Sequence, residues 1–369
     1  MLDVITVISR HEPLAVNEIS RHVELPVPIV AAVCNELRQR DVVDTRRPVR
    51  LTPSAREATA ADTWLGSGKC PQCSGLGIDV PSELDGVASQ LEALAERMPN
   101  ARLELDQAHC TIDSKLRRAM LFGELGLLSK PTIFIGDDDL TSITISLVAT
   151  HAGLPAPRVT VVDTDADLCE FIEAQADELG LSITVVRHDA RQPLPPQLHE
   201  AFQVAFTDPP YTLAGAELFV SRAVSALEPR AGQHVLFAFG ARRPSETVAV
   251  QSMLGDMGLA IRRLQPNFNE YLGAGVIGGT SHQYHLRTVD ASAGGIVGDY
   301  EGPLYTADNR AETARRFRCA SCRTIQLVGP KQKYAKIADL KSAGCPECGG
   351  STFRPMALRD RNTSNRKNP

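Results

Sequence analysis

Short apolar runs alternate with segments of helical periodicity through the middle of the chain. The runs have the length of a buried strand, and the segments between them have the apolar spacing of helices. Strands are predicted at 132–135, 158–162, 183–187, 203–207, 234–239, 259–264 and 282–289, and helices at 141–151, 166–179, 214–227 and 245–256. This alternation predicts an α/β domain with a Rossmann-like sheet over residues 114–290.

The N-terminal sixty residues have a different pattern. Helical spacing at 2–10, 17–23 and 28–40 is followed by two short β-type runs, 42–43 and 49–51. Three helices and a small wing are typical of a winged-helix domain, which we assign to residues 1–60. Its single arginine cluster and lack of a basic recognition helix argue against DNA binding. Residues 61–113 are predicted to connect the two domains, with an amphipathic helix at 83–97.

Two Cys-x-x-Cys pairs lie near the C-terminus, after a Gly/Ala/Asp-rich stretch at 291–314 that is predicted to be a linker. The pairs are Cys319 with Cys322 and Cys345 with Cys348, and we expect a hairpin between them. This spacing predicts a zinc ribbon over residues 315–355, whose zinc is structural because four thiolates leave no open position. Residues 356–369 are expected to be disordered.

A third Cys-x-x-Cys pair, Cys70 and Cys73, leaves its chemistry open. Zinc usually takes four ligands, and His109 and Cys110 are the nearest further candidates in the sequence. The alternative is a tight turn that carries two thiols without a metal.

The first strand of the sheet ends in Gly136 and three carboxylates, Asp137, Asp138 and Asp139. Such turns usually receive an anion at a helix N-terminus, but these acids would repel an anion and hold a cation. The fourth strand ends in Asp208-Pro209-Pro210-Tyr211, where the prolines stiffen a loop that offers a carboxylate, carbonyls and an aromatic ring to an amine. Together the two turns predict a site for a cationic substrate.

Several stretches resemble the N(4)-bis(aminopropyl)spermidine synthases, the branched-chain polyamine synthase family. They are Asp106-Gln107, Gly136 to Ser142, Asp163 with Asp165, Asp189-Ala190-Arg191 before Pro193-Leu194-Pro195, Asp208-Pro209-Pro210, and Asn267 to Tyr271. The resemblance covers residues 1 to 290, and the zinc ribbon is an addition to the family's pattern. It implies a methyltransferase-type sheet, a homodimer, and transfer of an aminopropyl group from decarboxylated S-adenosylmethionine to a polyamine.

The resemblance also implies roles for individual residues. Asp139 aligns with the single acid of the ordinary aminopropyltransferase turn and is our choice for the base, while Asp137 and Asp138 hold cations. Donor binding is expected from Gly136, Asp163, Asp165, Asp189 and Asp208. Acceptor binding is expected from Asp208, Pro209, Tyr211, Asn269 and Glu270, the last two in a glycine-rich loop that closes over the site.

Charge is divided unevenly along the chain. Residues 315–369 contain 13 basic and 3 acidic residues, whereas the whole chain has a net charge of -5. An acidic catalytic body suits a polycationic substrate, and the basic tail suits nucleic acid or an acidic protein. No apolar run approaches the length of a membrane span, and cysteine usage favours a reducing cytoplasm.

Two other functions fit the same motifs. Methyl transfer from S-adenosylmethionine to an amine in nucleic acid or protein also uses an Asp-Pro-Pro-Tyr turn. The donor's carboxylate would then meet three acids, which disfavours this function. The third hypothesis is a non-catalytic, nucleic-acid-binding regulator, which leaves the acidic turn without a role.

Overall fold

The computed structural model describes residues 1–45, 47–59, 70, 72–73, 75–272, 279–306, 308, 315–329, 332–334 and 337–355. The expected disordered tail and most of the glycine-rich run after Leu272 lie outside these ranges. The chain divides into two compact units, Met1–Gly302 and Pro303–Pro369. No helix in the described ranges is both long and apolar enough to cross a bilayer.

The N-terminal segment contains the three predicted helices, α1 (Leu2–His11), α2 (Val16–Val23) and α3 (Val27–Gln39). Their apolar positions form a small core of their own. The two expected wing strands are reduced to isolated antiparallel bridges, Leu14 with Val49 and Val43 with Leu51. A fourth helix, α4 (Pro53–Thr59), follows the bridges and is additional to the three helices that the sequence predicts.

Two helices lie in the chain between the N-terminal segment and the first strand of the sheet. The first, α5 (Asp85–Ala95), confirms the helix predicted at 83–97, and the second, α6 (Ile112–Glu124), was not foreseen. Thr111 caps α6 by accepting the Ser114 N–H through its side chain. Both helices contribute to the larger core cluster on one face of the sheet.

The sheet has seven strands in the order β3-β2-β1-β4-β5-β7-β6. Strands β1 to β5 are parallel and β7 runs antiparallel to both β5 and β6. Their bounds are Thr132–Ile135, Val159–Asp163, Ile183–Arg187, Val204–Thr207, His234–Gly240, Leu259–Glu270 and Thr280–Thr288 for β1 to β7. The order reverses between β1 and β4, and ligands of open α/β sheets bind at the carboxyl ends of the strands beside such a reversal.

Four helices cover the sheet: α7 (Thr141–His151), α8 (Ala166–Leu179), α9 (Leu213–Ala226) and α10 (Pro244–Asp256). Residues of α7 and α8 pack with α5 and α6 in one core cluster, and residues of α9 and α10 form a second cluster. The two clusters share β1, whose Phe134 lies in the first and whose Ile133 and Ile135 lie in the second. The strand is therefore buried throughout, which explains its continuous apolar run.

Strand β6 is longer than the sequence predicts. Asn269 and Glu270 were expected in a loop, and this is wrong because β6 continues to Glu270. The register shifts between Gln265 and Asn269, and the irregularity contains Pro266. An edge strand tolerates a proline at a bulge, so the proline does not end the strand.

The segment after β7 was expected to be a linker, but residues 291–302 belong to the first unit. Arg222 of α9 is buried and donates to the carbonyls of Ile296 (2.9 Å) and Gly298 (2.7 Å). The same guanidinium donates to the carbonyls of Ala190 (2.9 Å) and Arg191 (3.2 Å) in the loop after β3. One side chain thus joins this segment to that loop.

The second unit has a three-stranded antiparallel sheet in the order β10-β8-β9 and a short helix, α11 (Ile337–Ala343). The strands are β8 (Arg315–Cys319), β9 (Ile325–Val328) and β10 (Phe353–Pro355). The hairpin expected between the two pairs is not seen in the described residues, and the hairpin formed by β8 and β9 encloses the first Cys-x-x-Cys pair instead. A turn that holds two thiolates explains this placement.

Candidate active site

Three consecutive carboxylates, Asp137, Asp138 and Asp139, occupy the turn between β1 and α7. Gly136 begins the turn with a φ of 77°, which glycine adopts without steric cost, and its N–H donates to the Val162 carbonyl. The turn is therefore tied to the end of β2. The three carboxylates differ in their partners, and this separates their chemistry.

Asp137 stabilises the start of α7. Its side chain accepts the N–H groups of Thr141 (2.8 Å) and Ser142 (3.2 Å), two donors without partners in the helix itself. Burial raises the pKa of Asp137 to about 7, although these hydrogen bonds act in the opposite direction. Both its oxygens are thus occupied by the helix.

Asp139 is held by a buried cation. Its Oδ2 lies 2.7 Å from Arg118 of α6, and its Oδ1 accepts the Cys110 N–H. Burial alone would raise the pKa of Asp139, but the charges of Arg118 and Lys115 and the Cys110 N–H outweigh it, and the pKa is lowered. These contacts favour the ionised form of Asp139 and disfavour it as the base, because a carboxylate held in its ionised form by an arginine is a poor proton acceptor.

Asp138 retains one oxygen for a ligand. Its Oδ2 accepts the Ala108 N–H at 3.0 Å, and no donor of the described residues contacts Oδ1. The residue is also partly exposed, whereas Asp137 and Asp139 are each 2% exposed. Burial of the carboxyl raises the pKa of Asp138 well above its usual range, and repulsion by neighbouring acids adds to the effect.

The turn after β4 faces the acidic turn. Asp208 lies 2.7 Å from Arg118 and accepts hydrogen bonds from Tyr271 (2.5 Å) and Tyr211 (3.3 Å). Burial raises the pKa of Asp208 to about 6, against the lowering effect of Arg118. Pro209 is buried at the base of this turn. The turn therefore presents a fixed carboxylate between two phenol rings.

Arg118 is the functional residue that sequence reasoning missed. Its side chain is 0% exposed and pairs with both Asp139 and Asp208. Its Nε donates to the Asn269 side chain at 2.7 Å. The sequence offers one signal, an arginine pair, Arg117 and Arg118, directly before an apolar stretch. The residues nearby do not indicate which carboxylates Arg118 pairs with.

Two further carboxylates end β2. Asp163 accepts the Asp137 N–H (3.2 Å) and the Asp165 N–H (2.9 Å), which places it beside the acidic turn. Asp165 caps α8 by accepting the Asp167 N–H, and its other oxygen accepts from Gln107 (3.0 Å). Asp163 is thus adjacent to the site, and the oxygens of Asp165 are occupied by protein groups.

Of the remaining predicted site residues, Asn269 lies beside Arg118, whereas Asp189 and Glu270 do not contact the acidic turn. Asp189 follows β3, is half-buried, and accepts the Arg191 N–H at 2.9 Å, with no contact to the acidic turn. Asn269 is buried beside Arg118. Glu270 is not brought to this cluster, because its carboxylate pairs with Arg21 of α2 at 2.5 Å. Neighbouring residues of a strand face opposite sides, which explains the separation of Asn269 from Glu270.

The chain matches a known protein family. Residues 86–293 match the family described as the branched-chain polyamine synthase A C-terminal domain, which is more than half of the chain. The chain belongs to this family. The matched segment contains β1 to β7 and the carboxylates of both turns, Asp137, Asp138, Asp139 and Asp208.

Individual proteins are also similar to this chain. N(4)-bis(aminopropyl)spermidine synthase of Thermococcus kodakarensis is 31% identical over 69% of this chain and 73% of its own. An uncharacterised protein of Methanocaldococcus jannaschii is 33% identical over 95% of this chain and 87% of its own. The branched-chain polyamine synthase of Thermus thermophilus, solved with N4-aminopropylspermidine and 5'-methylthioadenosine, has a TM-score of 0.68 and 26% identity. That comparison covers 83% of this chain and 92% of that one.

Four cysteines lie beyond the segment that matches the branched-chain polyamine synthase family. The sulfurs of Cys319, Cys322, Cys345 and Cys348 all lie within 4.8 Å of one another. Those of Cys319 and Cys348 are 3.6 Å apart, and those of Cys322 and Cys345 are 3.5 Å apart. Tetrahedral zinc with Zn–S bonds of about 2.3 Å separates its sulfurs by about 3.8 Å, so this donor set fits a zinc ion.

The third cysteine pair does not form a comparable group. Of the residues described here, the four C-terminal cysteines are the one set of three or more metal-ligand side chains close enough to share an ion. Cys110, a candidate fourth ligand for Cys70 and Cys73, is buried, and its N–H contacts Asp139.

Proposed function

We propose that this protein transfers an aminopropyl group from decarboxylated S-adenosylmethionine to an amine of a spermidine-type polyamine, giving a branched product. The observation that carries the proposal is the pairing of two turns at the switch point of a branched-chain polyamine synthase sheet. One turn offers Asp138 with a carboxylate oxygen that lacks a donor among the described residues, and the other offers Asp208 between two tyrosines. Polyamines and the decarboxylated donor are both cationic, and this cluster is acidic.

The acidic turn favours the decarboxylated donor over S-adenosylmethionine itself. The carboxylate of S-adenosylmethionine would meet a cluster of acids in which burial, and after it repulsion by neighbouring carboxylates, already raises the pKa of Asp138. A further negative charge at such a site is unfavourable because few water molecules screen it. This disfavours the alternative, methyl transfer to an amine.

The contacts favour Asp138 as the general base, in place of Asp139. The amine lone pair attacks the methylene next to the sulfonium, the carbon–sulfur bond breaks, and its electrons remain on sulfur in neutral methylthioadenosine. The new ammonium then loses its proton to the free oxygen of Asp138. A base with a raised pKa suits this step, and binding of two cations keeps it ionised until then.

The other carboxylates have positioning roles in this proposal. Asp208 and the Pro209 carbonyl orient the attacking nitrogen, and Tyr211 packs on the methylenes of the acceptor. Asp163 bonds the donor ribose at the end of β2, next to Gly136, where a nucleoside binds in this class of fold. Asp189 reaches the adenine. Asp137 and Asp165 act through the helices that they cap.

We also propose roles for the flanking regions. Residues 1–60 are a winged-helix module that serves packing or dimerisation, and residues 61–113 connect it to a catalytic domain that ends at 302. The second unit is a zinc ribbon in which four thiolates hold a structural zinc with no open position. Its basic character suits nucleic acid or an acidic protein.

Mass spectrometry of products is the direct test. The full chain is incubated with decarboxylated S-adenosylmethionine and a panel of polyamines, and we expect addition of one or two aminopropyl groups to spermidine. Incubation with S-adenosylmethionine and the same panel is the matched control. Methylated products, or DNA binding in a gel shift without any transfer, would replace this function with one of the two alternatives.

A further inference from the structure

Arg118 occupies a position where four parts of the fold meet. It lies on α6, and its guanidinium contacts the turn after β1 through Asp139, the turn after β4 through Asp208, and the end of β6 through Asn269. All three of these distances are 2.7 Å. It also bonds the Tyr271 hydroxyl at 3.1 Å. The side chain has no exposed surface, so every N–H must find its acceptor within the protein.

We propose that Arg118 is the positioning residue of the transfer site, which sets the acidic turn relative to the Asp208 turn. This inference rests on the function proposed above. Arg118 pairs with Asp139, and this ion pair fixes the backbone of the turn that also carries Asp138. Arg118 pairs as well with Asp208, which orients the attacking nitrogen. The guanidinium therefore determines the separation of the base from the nucleophile without touching either reacting atom.

The shape of arginine is necessary for this role. Its planar fork reaches two carboxylates at once with a fixed angle between them, whereas a lysine ammonium is a single point on a flexible stem. Asn269 fixes the remaining edge of the fork, and Asn269 is itself held by Ser281 at 3.0 Å. Protein acceptors therefore fix all three nitrogens of the Arg118 guanidinium.

The neighbouring Arg117 shows what a structural arginine looks like in the same helix. It is also buried, but it donates to the Phe268 carbonyl (3.0 Å) and the Ser114 hydroxyl (2.9 Å). It has no contact with Asp139 or Asp208. Arg117→Lys is therefore a matched control for Arg118→Lys.

The charge of Arg118 also decides the ionisation of the site. The other titratable groups that face Asp139 and Asp208 are Lys115, His109, Cys110, Asp137, Asp138, Tyr211 and Tyr271. Of these, only Lys115 adds a second positive charge near Asp139. Loss of the guanidinium therefore leaves the carboxylates facing mostly other acids and phenols.

The test compares three variants by product formation per folded protein. Arg118→Lys is expected to lower kcat about 100-fold, as misplacement of about 1 Å does, while the KM for the donor changes little. Arg118→Gln should also move the acid limb of the kcat/KM profile up by about one pH unit, because Asp139 and Asp208 lose their cation. Arg117→Lys should change kcat by less than about threefold.

A wild-type kcat and pH profile in folded Arg118→Lys and Arg118→Gln overturns the inference. If neither variant folds, Asn269→Ser decides the matter, because it frees one edge of the fork and keeps both ion pairs. We expect kcat to fall about tenfold in Asn269→Ser, and an unchanged kcat refutes a positioning role. Absence of any aminopropyl product from the wild type is a separate result, and it removes the proposed function itself.

Discussion

Replacement of Asp138 by asparagine tests the choice of base most directly. The side-chain amide oxygen of the variant can still accept the Ala108 N–H that Asp138 bonds at 3.0 Å, so the turn should keep its shape. The amide cannot take a proton from the new ammonium. We expect turnover to fall 100- to 10,000-fold, as is usual for the loss of a general base, which is about 3–5 kcal/mol of barrier.

The pH dependence gives the expected effect a sign. Burial and neighbouring acids raise the pKa of Asp138, so the wild-type base becomes ionised, and turnover rises, as pH increases. In the variant this ionisation is absent, and turnover should rise only at the higher pH at which the polyamine amine loses its own proton. The ratio of wild-type to variant turnover should therefore shrink at high pH.

The matched comparison is Asp139→Asn. Asp139 pairs with the buried Arg118, so its loss leaves an uncompensated cation and should cost about 3–5 kcal/mol of unfolding free energy. Turnover of the folded fraction should then fall without recovery at high pH. Turnover from about pH 6 to about pH 10 is measured for both variants by quantifying the aminopropyl product. High-pH rescue of Asp139→Asn, together with an active Asp138→Asn, would refute the reasoning and restore Asp139 as the base.

Three further predictions concern residues outside this step. Cys345→Ser should abolish zinc binding in metal analysis while the unfolding transition of the first unit remains, because the metal folds such small domains; retained zinc would contradict the ribbon. Asp137 binds more protons folded than unfolded between its usual pKa of 3.8 and about 7, so stability falls with pH in that window. The free energy of unfolding of Asp137→Asn relative to the wild type, measured by denaturant unfolding, should therefore rise by up to about 4 kcal/mol from about pH 4 to about pH 8. A relative free energy that stays constant over this pH range would contradict the raised pKa of Asp137. Glu270→Gln should change turnover less than about twofold and stability by less than about 1 kcal/mol, because its pair with Arg21 is exposed; a large rise in the acceptor's KM would show instead that Glu270 meets the substrate.

Local patterns in the sequence were sufficient for the sheet and for both turns. Each of the predicted strands and the crossover helices is present, because a buried strand between helices needs an unbroken apolar run. Asp208 and the three acids of the β1 turn could be assigned to one site because the carboxyl ends of neighbouring parallel strands meet at one edge.

Roles that depend on distant partners could not be predicted. The choice of Asp139 as base rested on its alignment with the single acid of the ordinary aminopropyltransferase turn, and it did not include Arg118, 21 positions earlier, which pairs with Asp139. Glu270 was assigned to the acceptor site from the resemblance and the glycine-rich run beside it, whereas its carboxylate pairs with Arg21, 249 positions earlier. In both cases the deciding contact joins residues far apart in the chain, and spacing within a motif does not record it.

The bonds of Arg222 bear on where a catalytic fragment of this protein can be cut. The family match ends at residue 293, yet Arg222 donates to the carbonyls of Ile296 and Gly298 beyond that point. A fragment that stops at 293 would leave a buried guanidinium with the carbonyls of Ala190 and Arg191 alone, in the loop that carries Asp189. Expression vectors and chimeras should therefore keep the chain to Gly302, since the residues that support the loop after β3 extend past the boundary of sequence similarity.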